Sequence, residues 1–283
     1  MSDRKNQQEV WLVTGCSSGM GKSFVKAIAE NGSFVVATAR KKETLSDLKL
    51  LYPNQIMDLT LDVTDKEQIR QVVQSVIARF GRIDGLVNNA GYGYRAAIEE
   101  GSDEDVALLF QTNFYGPVSL IKEVLPHMRL QRCGAIINIS SIAATDTFPG
   151  SGYYGASKGA LEGISSALQK EVAPLGIKVM VVEPGTFRTD FRSRSLKLSD
   201  IQISDYAETA GRRRIENART DGTQRGDPDK GARLIMEVIH SEDVPFKLIV
   251  GSDAWNVYKQ RERLQNEEMK PWLQKSIQTR FED

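Results

Sequence analysis

Ser141, Tyr154 and Lys158 are the residues of this chain whose types and spacing could do chemistry. Tyr154 and Lys158 lie four apart in GYYGASKGALEG, a stretch that reads as a helix, so their side chains share one face. Tyr153 is five from the lysine and points about 140° away, which makes Tyr154 the active phenol. A free phenol, with a pKa near ~10, is a poor base at neutral pH, but a neighbouring ammonium favours its ionised form. Lys158 supplies that cation, and the pair is suited to moving a proton.

A second constellation lies near the N-terminus, where an apolar run enters Thr14-Gly15-Cys16-Ser17-Ser18-Gly19-Met20-Gly21 and then an amphipathic helix, KSFVKAIAENG. Glycines in this context permit a tight turn and close approach to a pyrophosphate, whose charge rests on the helix N-terminus. Dinucleotide binding is the expectation. About twenty residues on, NAD sites place an acidic residue on the ribose, whereas this chain has Ala39-Arg40-Lys41-Lys42. Cations opening a helix are opposed by its dipole, so a bound 2′-phosphate explains them, and NADP(H) is expected over NAD(H), with Arg40 stacking on the adenine side or gripping the phosphate. The same glycines fit GxSxG, a hydrolase nucleophile elbow around Ser17. That reading fails because only one strand precedes Ser17, and the two histidines, His127 and His240, sit in helical stretches without a triad role.

The elements that must hold these residues alternate along the chain. Apolar runs at 9–14, 33–39, 55–61, 84–88, 134–140, 177–183 and 246–250 read as strands separated by amphipathic helices. Parallel strands joined by right-handed crossovers give one doubly wound α/β Rossmann sheet of seven strands with helices on both faces, its ligands at the strands' carboxyl ends. We read 1–283 as a single domain, with a polar, weakly periodic segment at 186–226 as a lid mobile without ligand and an extension at 253–283.

Composition narrows the function classes. At 283 residues, 40% hydrophobic and 26% charged, the chain buries about 75% of its extended surface and needs no disulfides. With 37 basic and 37 acidic residues it has no net field to draw nucleic acid. Cys16 and Cys133 form no metal or redox cluster and read as two buried thiols. The polar start MSDRKNQQ and the lack of any apolar run of about 18 residues point to a cytoplasmic protein with no membrane partner.

With these residues in place the chain resembles a short-chain dehydrogenase/reductase over roughly residues 9 to 250. The markers occur in order: the TGxxxGxG loop, Asp62, Asn88-Asn89-Ala90-Gly91, Asn113, Ser141, Tyr154, Lys158, and Pro184-Gly185 followed by Thr189. The resemblance implies that Asp62 and Val63 contact adenine, and that Asn88, Ala90 and Gly91 line the cofactor ribose, with Asn89 among them. It implies that Lys158 holds the nicotinamide ribose and that Thr189 binds the carboxamide. The family spacing of about thirteen selects Ser141 over Ser140 as the hydroxyl that holds the substrate oxygen. Asn113 would anchor a water linking Lys158 to solvent, although an Asn beside Gly-Pro could simply mark a helix irregularity. The reaction implied is hydride transfer between nicotinamide and a carbonyl or alcohol, with Tyr154 moving the proton and no metal required. Such chains commonly form homodimers or homotetramers.

Tyr92, Tyr94, Phe148, Tyr153, Phe187 and Phe191 cluster in loops near the strand ends and are expected to wall an apolar pocket for a ketone, aldehyde, steroid-like or 3-oxoacyl substrate. Arg188, Arg192, Arg194 and Arg212 to Arg214 offer an anionic substrate or acidic carrier a landing place. Other readings are a regulatory protein that binds the cofactor without turnover, which the intact serine, tyrosine and lysine oppose, and an epimerase or dehydratase, whose glycine loop is spaced differently.

Overall fold

From Gln8 to Phe281, the residues that the computed structural model describes, strand and helix alternate as the apolar periodicity requires. The first half runs β1 (Val10–Val13), α1 (Gly19–Glu30), β2 (Phe34–Ala39), α2 (Ser46–Leu51), β3 (Ile56–Thr60), α3 (Lys66–Phe80) and β4 (Gly85–Asn88). Then come β5 (Gly93–Arg95), α4 (Asp103–Phe110), α5 (Gly116–Gln131), β6 (Gly134–Ile139), α6 (Ile142–Thr145), α7 (Gly152–Val172) and β7 (Ile177–Pro184). The chain ends with α8 (Phe191–Arg194), β8 (Leu196–Leu198), α9 (Arg212–Arg219), α10 (Pro228–His240), β9 (Lys247–Val250), α11 (Ser252–Met269) and α12 (Leu273–Ile277). Residues 1–7, most of the polar start read as lacking a signal segment, lie outside the described residues.

Seven strands form one parallel sheet in the order β3-β2-β1-β4-β6-β7-β9. Successive side chains on a strand point to opposite faces, and at the centre of the sheet both faces are covered, so the inner strands are largely apolar. Trp11 and Val13 of β1 pack with Phe24 and Ile28 of α1 and Ile235 of α10. Val10 and Leu12 face the other way, toward Val72 of α3, Leu120 of α5 and Leu168 of α7. Each fully buried aliphatic side chain contributes roughly 1.5–3 kcal/mol, which fixes the register. Among the described residues no helix is long and apolar enough to cross a membrane.

The segment 186–226, read as a lid, carries secondary structure of its own: it holds α8, β8 and α9, and β8 pairs in parallel with β5 in a second, two-stranded sheet. Its base is clamped where Phe187 bridges Gly226, and its far end is held by Arg214 of α9, which forms an ion pair at 2.7 Å with the fully buried Glu100. The weak periodicity of α9 arises because its inward face is polar, with Arg214 and Asn217 turned in where leucines would ordinarily sit. One expectation needs correction: of the two cysteines read as buried thiols, Cys16 is buried, its thiol pushed up to about 12 by burial, whereas Cys133 is exposed.

Candidate active site

Strand order reverses between β1 and β4, and the crevice at their carboxyl ends opens into a cleft of about 750 Å³. The loop from Gly15 to Gly21 forms its floor. Gly15 has φ +71°, and a Cβ there would come within 2.9 Å of the Ala90 backbone; one on Gly21 would lie 2.2 Å from the Gly15 carbonyl oxygen. The loop is therefore pressed flat against the end of β4, where Asn89 Nδ2 donates to the Thr14 and Gly15 carbonyls at 2.8 and 3.1 Å. Ser18 at the N-cap of α1 makes no side-chain capping bond, and the first turn carries no acidic residue. Free N–H groups at a helix end without opposing charge fit a pyrophosphate. Arg40 is exposed at the cleft's edge beside Asp62 and Val63, so this end fits a dinucleotide.

Tyr154, Ser141 and Lys158 meet on the cleft's far wall. Ser141 caps α6, accepting from the Ala143 N–H at 3.2 Å. Burial raises the Tyr154 pKa, while the neighbouring Ser141 hydroxyl and the charge of Arg95 oppose the rise. Lys158 is buried beneath it, donating from Nζ to the Ile139 carbonyl at 2.8 Å, and burial pulls it down to about 8. Its Nζ is 6.0 Å from the Tyr154 ring centre. A second cation, Arg95, sits 5.9 Å over the ring, and its charge also favours the ionised phenol.

Asn113 is fully buried in a wide helical turn at Gln111–Tyr115 that joins α4 to α5. Its amide accepts from Tyr92 N–H at 3.1 Å and donates to Tyr92 O at 2.9 Å and to Ser157 Oγ at 3.1 Å. It thus ties the segment after β4 to α7 beside Lys158. Behind the wall, Lys247 bridges Glu162 and the fully buried Glu183 at 2.8 and 2.6 Å. Asp253 of α11 accepts from Thr186 N–H at 2.7 Å, fastening the C-terminal extension to the loop after β7.

Of the expected site residues, Ser17, Ser18, Gly19, Met20, Gly91, Pro184, Gly185 and Thr189 line the cleft with those already placed. Tyr92, Phe148, Phe187 and Phe191 line it too, Phe191 with its ring 6.0 Å from that of Tyr154. Tyr94 and Tyr153 do not. Tyr94 is buried in a small cluster with Leu109, and Tyr153 packs against it and donates to the Ile98 carbonyl at 2.7 Å. Asn88 also turns away, donating to Asn138 at 2.8 Å inside the sheet. Among the suspected lid arginines, Arg192, Arg194 and Arg213 line the cleft; Arg188 donates to Gln224 O at 3.0 Å, Arg212 pairs with Glu208, and Arg214 holds Glu100. Sequence reasoning missed Arg95, Ser151, Asn217 and Gln224, all of which line the cleft.

A glycine loop opening a helix at the switch point of a doubly wound parallel sheet defines a nucleotide-binding protein of the Rossmann class. The chain belongs to the short-chain dehydrogenase/reductase family: the family model described as short chain dehydrogenase matches residues 9–198. A 3-ketodihydrosphingosine reductase from Bacteroides thetaiotaomicron is 39% identical over 249 residues, covering 87% of this chain and 88% of the relative. The crystal structure of a short-chain dehydrogenase from Streptomyces avermitilis superposes with a TM-score of 0.90 at 39% identity, covering 97% of this chain and 99% of that one. ElxO with NADP bound superposes with a TM-score of 0.70 at 28% identity, over 86% of this chain and 97% of that one. The protein is an oxidoreductase that uses a nicotinamide cofactor.

Proposed function

We propose that the protein is an NADP(H)-dependent reductase of carbonyl compounds, or the reverse dehydrogenase of secondary alcohols, acting on an apolar ketone, aldehyde, steroid-like or 3-oxoacyl substrate. The observation that carries this reading is that Ser141, Tyr154 and Lys158 share one wall of the cleft whose floor is the glycine loop. A nicotinamide bound there supplies or accepts the hydride. Ser141 and Tyr154 hold the substrate oxygen, and Tyr154 gives it a proton on reduction or takes one on oxidation. Lys158 holds the cofactor ribose and, with Asn113, keeps a proton path open to solvent. Phe148, Phe187 and Phe191 supply the apolar wall, which supports a hydrophobic carbonyl substrate, as does the keto compound in the Bacteroides relative's name. The lid at 186–226 orders further over bound ligands and excludes water. The protein works in the cytoplasm as a homodimer or homotetramer.

Turnover is tested by following NADPH absorbance against aliphatic ketones, aromatic aldehydes, steroids, quinones and acyl thioesters. Consumption with none of them contradicts the reading. Cofactor choice has its own test at Arg40, whose planar fork can pair with a 2′-phosphate while the neighbouring Ala39 offers no repulsion. Charge-assisted hydrogen bonds are worth roughly 1.5–3 kcal/mol, so Arg40→Leu should weaken NADPH by about tenfold to a hundredfold with little effect on NADH. Adding Ala39→Asp should invert the preference, by repelling the phosphate and giving the NAD ribose a partner. Dissociation constants at fixed salt decide it; a wild type that binds NADH as tightly as NADPH overturns the assignment.

A further inference from the structure

The end of the cleft beyond Tyr154 is lined by five cations, Arg95, Arg192, Arg194, Lys197 and Arg213, and by no carboxylate. Two of them are spoken for, since Arg194 pairs with Asp190 at 3.4 Å and Lys197 pairs with Asp105. Arg213 reaches only Glu216, at 3.4 Å on its own helix, and lies 4.5 Å over the Phe148 ring. Among the described residues Arg95 and Arg192 form no ion pair, although Arg192 donates to Thr220 Oγ1 and feels the charges of Asp221 and Asp253 from farther off. Burial, aggravated by the charges of Arg213 and Arg192, pulls Arg95 down to about 10, so the three guanidiniums stand close enough to repel one another. A cluster of cations so weakly compensated beside an apolar wall is costly unless a ligand completes it.

Unpaired polar atoms point the same way. Seven buried side-chain polar atoms of the described residues lack a hydrogen-bond partner, and six of them belong to residues that line this cleft: Tyr92 Oη, Arg95 Nε, Ser151 Oγ, Arg213 Nε, Asn217 Nδ2 and Gln224 Oε1. Buried polar groups are otherwise paired almost everywhere in folded proteins, so their concentration at one place marks a ligand site. Five of the six can donate a hydrogen bond. Arg213 and Asn217 are four apart on α9 and so share the face it turns to the cleft, and both Asn217 and Gln224 are more than nine-tenths buried. Arg40 and the α1 N-terminus already serve the phosphates at the opposite end of the cleft, which leaves these donors to the substrate.

We propose that the substrate is an anionic carbonyl compound, its carboxylate or phosphate seated among Arg95, Arg192 and Arg213 while its carbonyl lies against Ser141 and Tyr154. This rests on the reading of the cleft as a carbonyl reductase site and adds a charged end to the apolar body that site accepts. The oxyanion makes and breaks no bond; it fixes the carbonyl's distance from the phenol, with Phe148 and Phe191 packing on the atoms between.

Calorimetric binding to the enzyme saturated with NADP⁺ tests the charge without requiring turnover. The probes are two matched pairs, benzoylpropionate with its methyl ester and phenacyl phosphate with phenacyl alcohol. At least one anion should bind tenfold or more tightly than its neutral partner, and the pair that shows this tells carboxylate from phosphate. Arg192→Gln and Arg213→Gln alter partly exposed lid residues, so the fold should survive, and each should remove at least a tenfold part of that preference while changing the neutral probe's affinity less than threefold. The inference is overturned if neither anion outbinds its neutral partner, or if both variants weaken charged and neutral probes alike. Failure of the reductase reading would be seen separately, as neutral ketones that bind but never consume NADPH.

Discussion

Tyr154→Phe should lower kcat/KM for carbonyl reduction at least ~10²-fold while leaving NADPH affinity near its wild-type value. The substitution removes one hydroxyl from a residue that is 7% exposed, so its ring packing against Phe191 is retained and the loss falls on proton transfer. Tyr153→Phe, one residue away, should have an effect of a few-fold at most. Its hydroxyl is held by the Ile98 carbonyl outside the cleft. Burial holds Tyr154 protonated through neutral pH, so the acid needed for reduction is present there and is lost as pH rises through the raised pKa. Oxidation of the alcohol needs the ionised phenol and should instead accelerate as pH rises. Steady-state pH profiles in the two directions, run on both variants, check these expectations; equal losses in Tyr153→Phe and Tyr154→Phe would remove the mechanism.

Arg214→Met should have the next largest effect, on the order of a 10²- to 10³-fold increase in amide exchange over residues 199–219. Glu100 is fully buried and receives Arg214 Nη1 and Nη2 at 2.7 and 3.2 Å, with the Ala97 and Ile203 N–H groups completing its shell. Removing one partner of a buried pair leaves an uncompensated charge and costs about 3–5 kcal/mol. Arg214 first, and the two backbone donors after it, hold the Glu100 carboxyl down to about 2. A depressed carboxyl pKa means this contribution is complete above the ordinary carboxylate range and is lost as pH falls toward about 2. Exchange measured between neutral pH and pH near ~3 should therefore open this segment before the central sheet. Exchange in Arg214→Met indistinguishable from wild type would show that the ion pair does not hold the lid.

The seven-stranded sheet was legible because its inner strands are buried on both faces and leave long apolar runs, and the partly buried edge strands β3 and β9 stay mostly apolar. The three-residue strands β5 and β8 leave no such trace, and α9 hides its inward face behind polar residues. The same physics explains the misplaced tyrosines. Tyr94 and Arg95 are neighbours on β5 and so face opposite ways, which sends the aromatic ring into the cluster with Leu109 and the guanidinium over Tyr154. In α9 a rotation of about 100° per residue separates Arg213, stacked on Phe148, from Arg214, buried on Glu100. As letters in RRR the two are indistinguishable. The glycine loop and the Tyr-Lys spacing could be read because their chemistry is local to a single turn of chain, whereas the cation cluster is assembled from β5, α8 and α9.

The central claim is that this cleft moves a hydride between a nicotinamide and a carbonyl carbon with Tyr154 supplying the proton. Following deuterium from NADPH labelled at C4 into the alcohol formed from an aromatic ketone tests it most directly. The account predicts one deuterium on the carbinol carbon, from one face of the nicotinamide only, with the hydroxyl proton drawn from solvent and the transfer slowed at least ~10²-fold in Tyr154→Phe. Alcohol formed without deuterium at that carbon, or transfer at an unchanged rate in the variant, would contradict it.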